Sequence, residues 1–138
     1  MINFKIVTPE RLVYENEIYQ VSIPTTSGEI TVLPSHIPMV SVLAVGELKI
    51  IDKDGEHPYA VAGGFLEIQD ENKIVILADK VERADTIDVE RAQEARKRAE
   101  EEMIKAKAGE DVDFARLQAL IDKEMNRIRV GNKYRKLK

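Results

Sequence analysis

The sequence has no cysteine, no tryptophan and just two histidines, His36 and His57, in 138 residues. Without cysteine there is no disulfide framework and no thiolate zinc site, which fits a reducing compartment. No apolar run approaches the ~20 residues needed to cross a bilayer as a helix. The start, MINFKIVTPERLVY, lacks the basic, long-apolar, small-residue order of a secretory signal. A basic surplus is missing too: the net charge is −4, whereas nucleic-acid binders usually carry positive charge to neutralise phosphates. The expectation is a soluble cytoplasmic chain that avoids nucleic acid and reaches a membrane only through a partner.

Catalytic vocabulary is equally thin. The chain contains no G-x-S-x-G elbow, no H-E-x-x-H helix and no G-x-x-x-x-G-K-[ST] phosphate loop. Gly63-Gly64 is too short for a dinucleotide fingerprint and reads as a turn or bulge. Glu100, Glu101 and Glu102 read as a solvated helix face, and His57, beside Pro58 and a predicted turn, as exposed. No residue qualifies as catalytic and no cluster as a metal site, so the chain is expected not to be an enzyme by itself.

What is present divides into two halves with different periods. Over residues 1–84, Ile2, Phe4 and Ile6 alternate with polar neighbours, as do Tyr19, Val21 and Ile23, Ile30 with Val32, and Leu48 with Ile50. This is the period of half-buried strands. KIVIL (73–77) reads as a short buried strand. Turn residues separate the runs: Ser27-Gly28, Asp54-Gly55 and Asp70-Glu71-Asn72. Asp54-Gly55, between LKII and PYAV, signals a hairpin. All five prolines fall in this half, where they suit edges and loops and would break long helices. Many short strands at close spacing predict a β-sandwich or flattened barrel.

From residue 85 to 138 the period is helical. Ala92, Ala95, Ala99, Met103 and Ala106 form one narrow stripe, with Thr86 or Asp88 as the start signal. Gly109 reads as a terminator and Asp111 or Asp113 as the next cap. Phe114, Leu117, Ile121, Met125 and Ile128 form a second stripe, with Gly131 as its end and the basic tail NKYRKLK fraying. The fold class is therefore α+β: a sandwich followed by an antiparallel two-helix hairpin. Buried alanine methyls stabilise by roughly 0.8 kcal/mol each, little against an ordering cost of about 1–2 kcal/mol per residue. The hairpin is expected to be weakly held and mobile on a rigid β domain.

One loop stands out. In ITVLPSHIPMV (30–40) two prolines bracket His36, which reads either as an ordinary loop histidine or, with Glu29, as part of a docking loop.

Four segments, SGEITVLPSHIPMV (27–40), GGFLEI (63–68), ILAD (76–79) and IDVERA (87–92), occur in that order. Together they resemble the epsilon subunit of the bacterial rotary ATP synthase along nearly the whole chain. The resemblance implies a non-catalytic central-stalk subunit at the cytoplasmic face of the plasma membrane. Its partners would be the gamma subunit, the ring of c subunits and the beta subunit, with Glu29 and His36 matching docking positions. It would couple proton-driven rotation to ATP synthesis, and its hairpin would inhibit ATP hydrolysis when extended. No cofactor is required, but ATP is implied as a regulatory ligand of the folded hairpin. Glu82, Asp88, Arg91, Arg98 and Arg127 match the binding positions, with Lys123 where arginine is the pattern. Lysine keeps the charge and loses the bidentate fork, and Glu124 beside it disfavours phosphate. Against this stands the reading that these charges are ordinary i,i+3 and i,i+4 surface pairs. The alternative function is a free-standing adaptor or ATP sensor with the same two-part architecture.

Overall fold

The computed structural model describes residues 1–107 and 113–135. Eight strands come first: β1 (Ile2–Val7), β2 (Leu12–Ile18), β3 (Gln20–Thr25), β4 (Gly28–Val32), β5 (Met39–Val42), β6 (Gly46–Asp52), β7 (Gly55–Gln69) and β8 (Lys73–Arg83). A single 3-10 turn, Ala84–Thr86, leads into α1 (Val89–Lys107) and α2 (Phe114–Tyr134). Two compact units result, residues 1–83 and 84–138.

The long hairpin β7–β8 organises the β unit, because each of its halves belongs to a different layer. Residues 65–69 of β7 pair with 73–77 of β8, which in turn pair in parallel with β1, while β2 borders β1 and β5 borders β7. Residues 55–61 of β7 pair instead with β6, and β6 continues to β3 and β4. Between the halves the inward face changes phase. Tyr59 and Val61 are buried before the change, Leu66 and Ile68 after it. Gly63 (φ +81°) and Gly64 (φ +122°) make this change possible. The pair is thus neither a turn nor a bulge, since the β7–β8 register runs through it unshifted. It is a kink inside a continuous strand, and a Cβ on Gly64 would lie 2.1 Å from the Leu77 carbonyl oxygen.

One apolar cluster fills the space between the layers, including Ile2, Phe4, Ile6, Ile23, Leu48, Ile50, Leu66, Ile74 and Ile76. The expected alternation holds in β1, β3 and β6. Two details differ. Tyr19 is exposed at the bend between β2 and β3, and KIVIL is half-buried, with Leu77 turned to solvent. Lys53-Asp54 forms the two-residue turn, with Asp52 opposite Gly55.

In the helical unit Ala92, Ala99, Leu117 and Ile121 are buried, with Met103 and Leu120 packed against the Ala99–Leu117–Ile121 cluster. The second stripe departs from expectation: Phe114 and Met125 are exposed, while Glu124 and Asn126 are buried. Gly131 does not end α2. It lies inside the helix, where a Cβ would meet Val89 Cγ2 at 2.6 Å and Ile87 Cγ2 at 3.1 Å, so glycine lets the end of α2 pass close to the start of α1. Asn132, Lys133 and Tyr134 of the expected frayed tail are helical. Asp113 caps α2, accepting the Arg116 N–H at 3.0 Å. Gly109, Asp111, the Ala106 side chain and residues 136–138 lie outside the described residues.

Candidate functional site

Three features carry chemistry. The first is one flank of the hairpin. Asp88 Oδ1 accepts the Arg91 N–H at 3.1 Å and the Asp88 carbonyl accepts the Ala92 N–H at 3.1 Å, so Asp88 is the N-cap of α1 and one of its oxygens is committed to the backbone. Arg116 Nη2 sits 3.9 Å from Glu102 Oε2 across the hairpin. These two residues immediately precede Leu117 and Met103, which pack between the helices. The residue before each inward position therefore marks the same flank of both antiparallel helices. By the 3.6-residue period Arg91 (before Ala92), Arg98 (before Ala99), Lys123 and Arg127 fall on that flank. Glu82 belongs to β8, opposite Ala60.

The cations of the two helices differ in state. Arg91 and Arg98 are exposed, and their guanidinium groups have no partner among the described residues. Lys123 Nζ lies 3.6 Å from Glu124 Oε1, and Arg127 Nη1 lies 2.9 Å from Glu124 Oε2. Glu124 is 3% exposed. Both of its oxygens thus face cations, and sequence reasoning treated it merely as a nearby negative charge.

The second feature is a row across the outer face of the first layer. Val42 pairs with Phe65, Phe65 with Leu77, Leu77 with Val7, and Val7 with Leu12. Phe65 is 56% exposed, and Val42, Leu77 and Leu12 are exposed too. Parallel to it run Glu15, Lys5, Val75, Glu67 and Val40, then the polar row Glu17, Asn3, Lys73 and Gln69. An apolar row grading into charge over five strands is unusual for a solvated sheet face. The sequence did not reveal it, since its members are brought side by side by strand order.

The loop at 33–38 lies beyond the polar row, at the β7–β8 turn. Ile37 is 75% exposed and Leu33 is exposed, while Ser35 (φ +70°) donates its N–H to Asn72 Oδ1 at 2.6 Å. His36 Nδ1 lies 2.7 Å from the Ile37 carbonyl, so that nitrogen donates and Nε2 is left for other contacts. Glu29 is not in this loop. It belongs to β4, opposite Pro24, and the strand between it and the loop spans about 13 Å at ~3.3 Å per residue. Glu29 and His36 therefore stand at opposite ends of a strand.

The third feature is a buried carboxylate at the end of β6. Asp52 accepts the Tyr14 hydroxyl at 2.8 Å, His57 Nε2 at 2.8 Å and the Asp54 N–H at 2.8 Å. Burial alone would raise its pKa, but these donors outweigh burial and hold it below the usual carboxylate value. Burial first, then the hydrogen bond to Asp52, pushes the Tyr14 hydroxyl well above its ordinary value. His57, expected to be exposed, is thus a structural partner. The cluster joins β2 to β6, which share no ladder. Among the described residues no helix is long and apolar enough to cross a membrane.

Comparison with known proteins gives consistent answers. Residues 1–84 match the family described as "ATP synthase, Delta/Epsilon chain, beta-sandwich domain", and residues 85–132 match "ATP synthase, Delta/Epsilon chain, long alpha-helix domain". The "ATP synthase epsilon chain" of Nitratidesulfovibrio vulgaris (strain DP4) is 43% identical over 132 residues, covering 95% of this chain and 96% of that one. That of Halalkalibacterium halodurans is 37% identical over 132 residues, covering 96% and 98%. Among solved structures, a chain of the Euglena gracilis mitochondrial ATP synthase (OSCP/F1/c-ring) superposes with a TM-score of 0.73 at 23% identity, covering 96% of this chain and 81% of that one. At that identity the superposition speaks for the fold alone.

Proposed function

The chain belongs to the delta/epsilon family of ATP synthase, as one of its non-catalytic epsilon chains, and on that premise we propose that it is a central-stalk subunit that docks through the outer face of its first β layer. The observation that carries this reading is the exposed row Val42–Phe65–Leu77–Val7–Leu12. A partner that covers it removes apolar area from water at about 25 cal/mol per Å². The gamma subunit covers this row, and the loop carrying His36 and the strand carrying Glu29 make the further contacts to gamma and the c-ring. A sandwich with one continuous core suits the transmission of torque, because close-packed interiors deform little. The site of action is the cytoplasmic face of the plasma membrane, reached through the complex.

The hairpin regulates. Its core is alanine-rich on one helix and includes a buried carboxylate on the other, so its folded and extended packings differ by only a few kcal/mol. Extended toward beta it inhibits ATP hydrolysis, and ATP bound along the Arg91–Arg98–Lys123–Arg127 flank, with Asp88 as an acceptor, favours the folded form. The test is ATP hydrolysis by the complex reconstituted with the full chain or with a chain ending at residue 84. Faster hydrolysis with the shortened chain is expected, and equal rates at equal occupancy would refute the regulatory role.

A further inference from the structure

We propose that Glu124 is a built-in competitor of the nucleotide: an internal anion that occupies Lys123 and Arg127 in the folded hairpin and thereby sets the ATP concentration at which the hairpin responds. The inference rests on the reading of that flank as a phosphate site and deepens it.

Its basis is the position of one carboxylate. Glu124 stands on the inward line of α2, three residues after Ile121 and seven after Leu117, both buried. An aliphatic side chain at that position would extend the stripe, so the acid is an exception that needs a partner. It has two, Lys123 Nζ at 3.6 Å from one oxygen and Arg127 Nη1 at 2.9 Å from the other. The acid side chain is 4% exposed, against 32% for Lys123 and 23% for Arg127. Charge from the flank is thus drawn inward and neutralised from beneath, while the outer sides of the two cations still meet solvent.

A polyphosphate arriving at the flank meets two different pairs of cations. Arg91 and Arg98 of α1 offer unengaged guanidinium groups. Lys123 and Arg127 of α2 already face Glu124, so a phosphate on their outer sides meets charge that is partly neutralised, and Glu124 stays a buried acid next to it. Both effects oppose binding, and charge-assisted hydrogen bonds of this kind are among the stronger polar contacts. The carboxylate also supplies without ligand what phosphate would supply with it, a counter-charge holding α2's cations in place. The folded hairpin of this chain is therefore partly self-sufficient.

The experiment is calorimetric titration of ATP into the full chain, with Glu124→Gln and Glu124→Gln/Arg127→Ala alongside. Glutamine keeps the volume of glutamate and removes the charge. The expected result is ATP binding about tenfold tighter or more in Glu124→Gln than in the unaltered chain, with the gain lost in the double variant. Equal affinity in the unaltered chain and Glu124→Gln overturns the competitor role while leaving the phosphate site standing. Absence of binding in every variant up to millimolar ATP overturns both readings together. Far-UV circular dichroism checks the helices, and if the glutamine variant loses them, Glu124→Leu, which matches the inward line, takes its place with the same expectation.

Discussion

At the scale of single residues, the β unit depends on two positions that refuse substitution for different reasons. Gly64 combines a φ of +122° with 2.1 Å between an ideal Cβ and the Leu77 oxygen. Any side chain there must both adopt a disfavoured backbone and push against a carbonyl. Gly64→Ala is expected to destabilise by about 2–4 kcal/mol in urea unfolding. Asp52 is held by its donors. Its carboxyl titrates below the usual value in the folded chain, so its contribution is fully present above the unfolded carboxylate pKa, about 3.9. That contribution is lost as pH falls through the lower, folded value. Asp52→Asn is expected to cost about 1–3 kcal/mol at pH 7, and the difference from the unaltered chain should shrink in urea titrations run below about pH 4. A difference that stays constant to pH 2 would remove the carboxylate from the account.

At the scale of elements, legibility followed range. Alternation in β1, β3 and β6 depends on neighbours two apart, so Ile2, Phe4, Ile6, Leu48 and Ile50 were readable as core. The phase change inside β7 was not, because Gly63-Gly64 also suits a turn. The helices show the same limit. Leu117 and Ile121 were readable as inward, but the next position followed the partner helix: Glu124 turned in and Met125 out. Gly131 carried the signal of a helix end, yet its lack of a side chain serves the approach to Ile87 and Val89. Gly131→Val should therefore weaken the hairpin by about 1–3 kcal/mol, seen as earlier loss of helical signal on heating while the β unit melts unchanged. Of the flank, the cations were named by the family resemblance. Their engagement by Glu124 was not, since it depends on burial.

At the scale of the whole molecule, the docking row was invisible because its five members lie on strands ordered β5, β7, β8, β1, β2. No window of sequence contains them. The row also gives the most direct test of stalk membership. Phe65 and Leu77 are exposed, so replacing them leaves the core intact while altering the surface that the partner would cover. The measurement is the affinity of the full chain for its gamma subunit, for the unaltered chain and for Phe65→Asp and Leu77→Asp. A stable one-to-one complex is expected, which each variant weakens about thirtyfold or more, with melting temperatures of the variants alone nearly unchanged. Undiminished binding by both variants would place the interface elsewhere and contradict the docking face proposed for this layer.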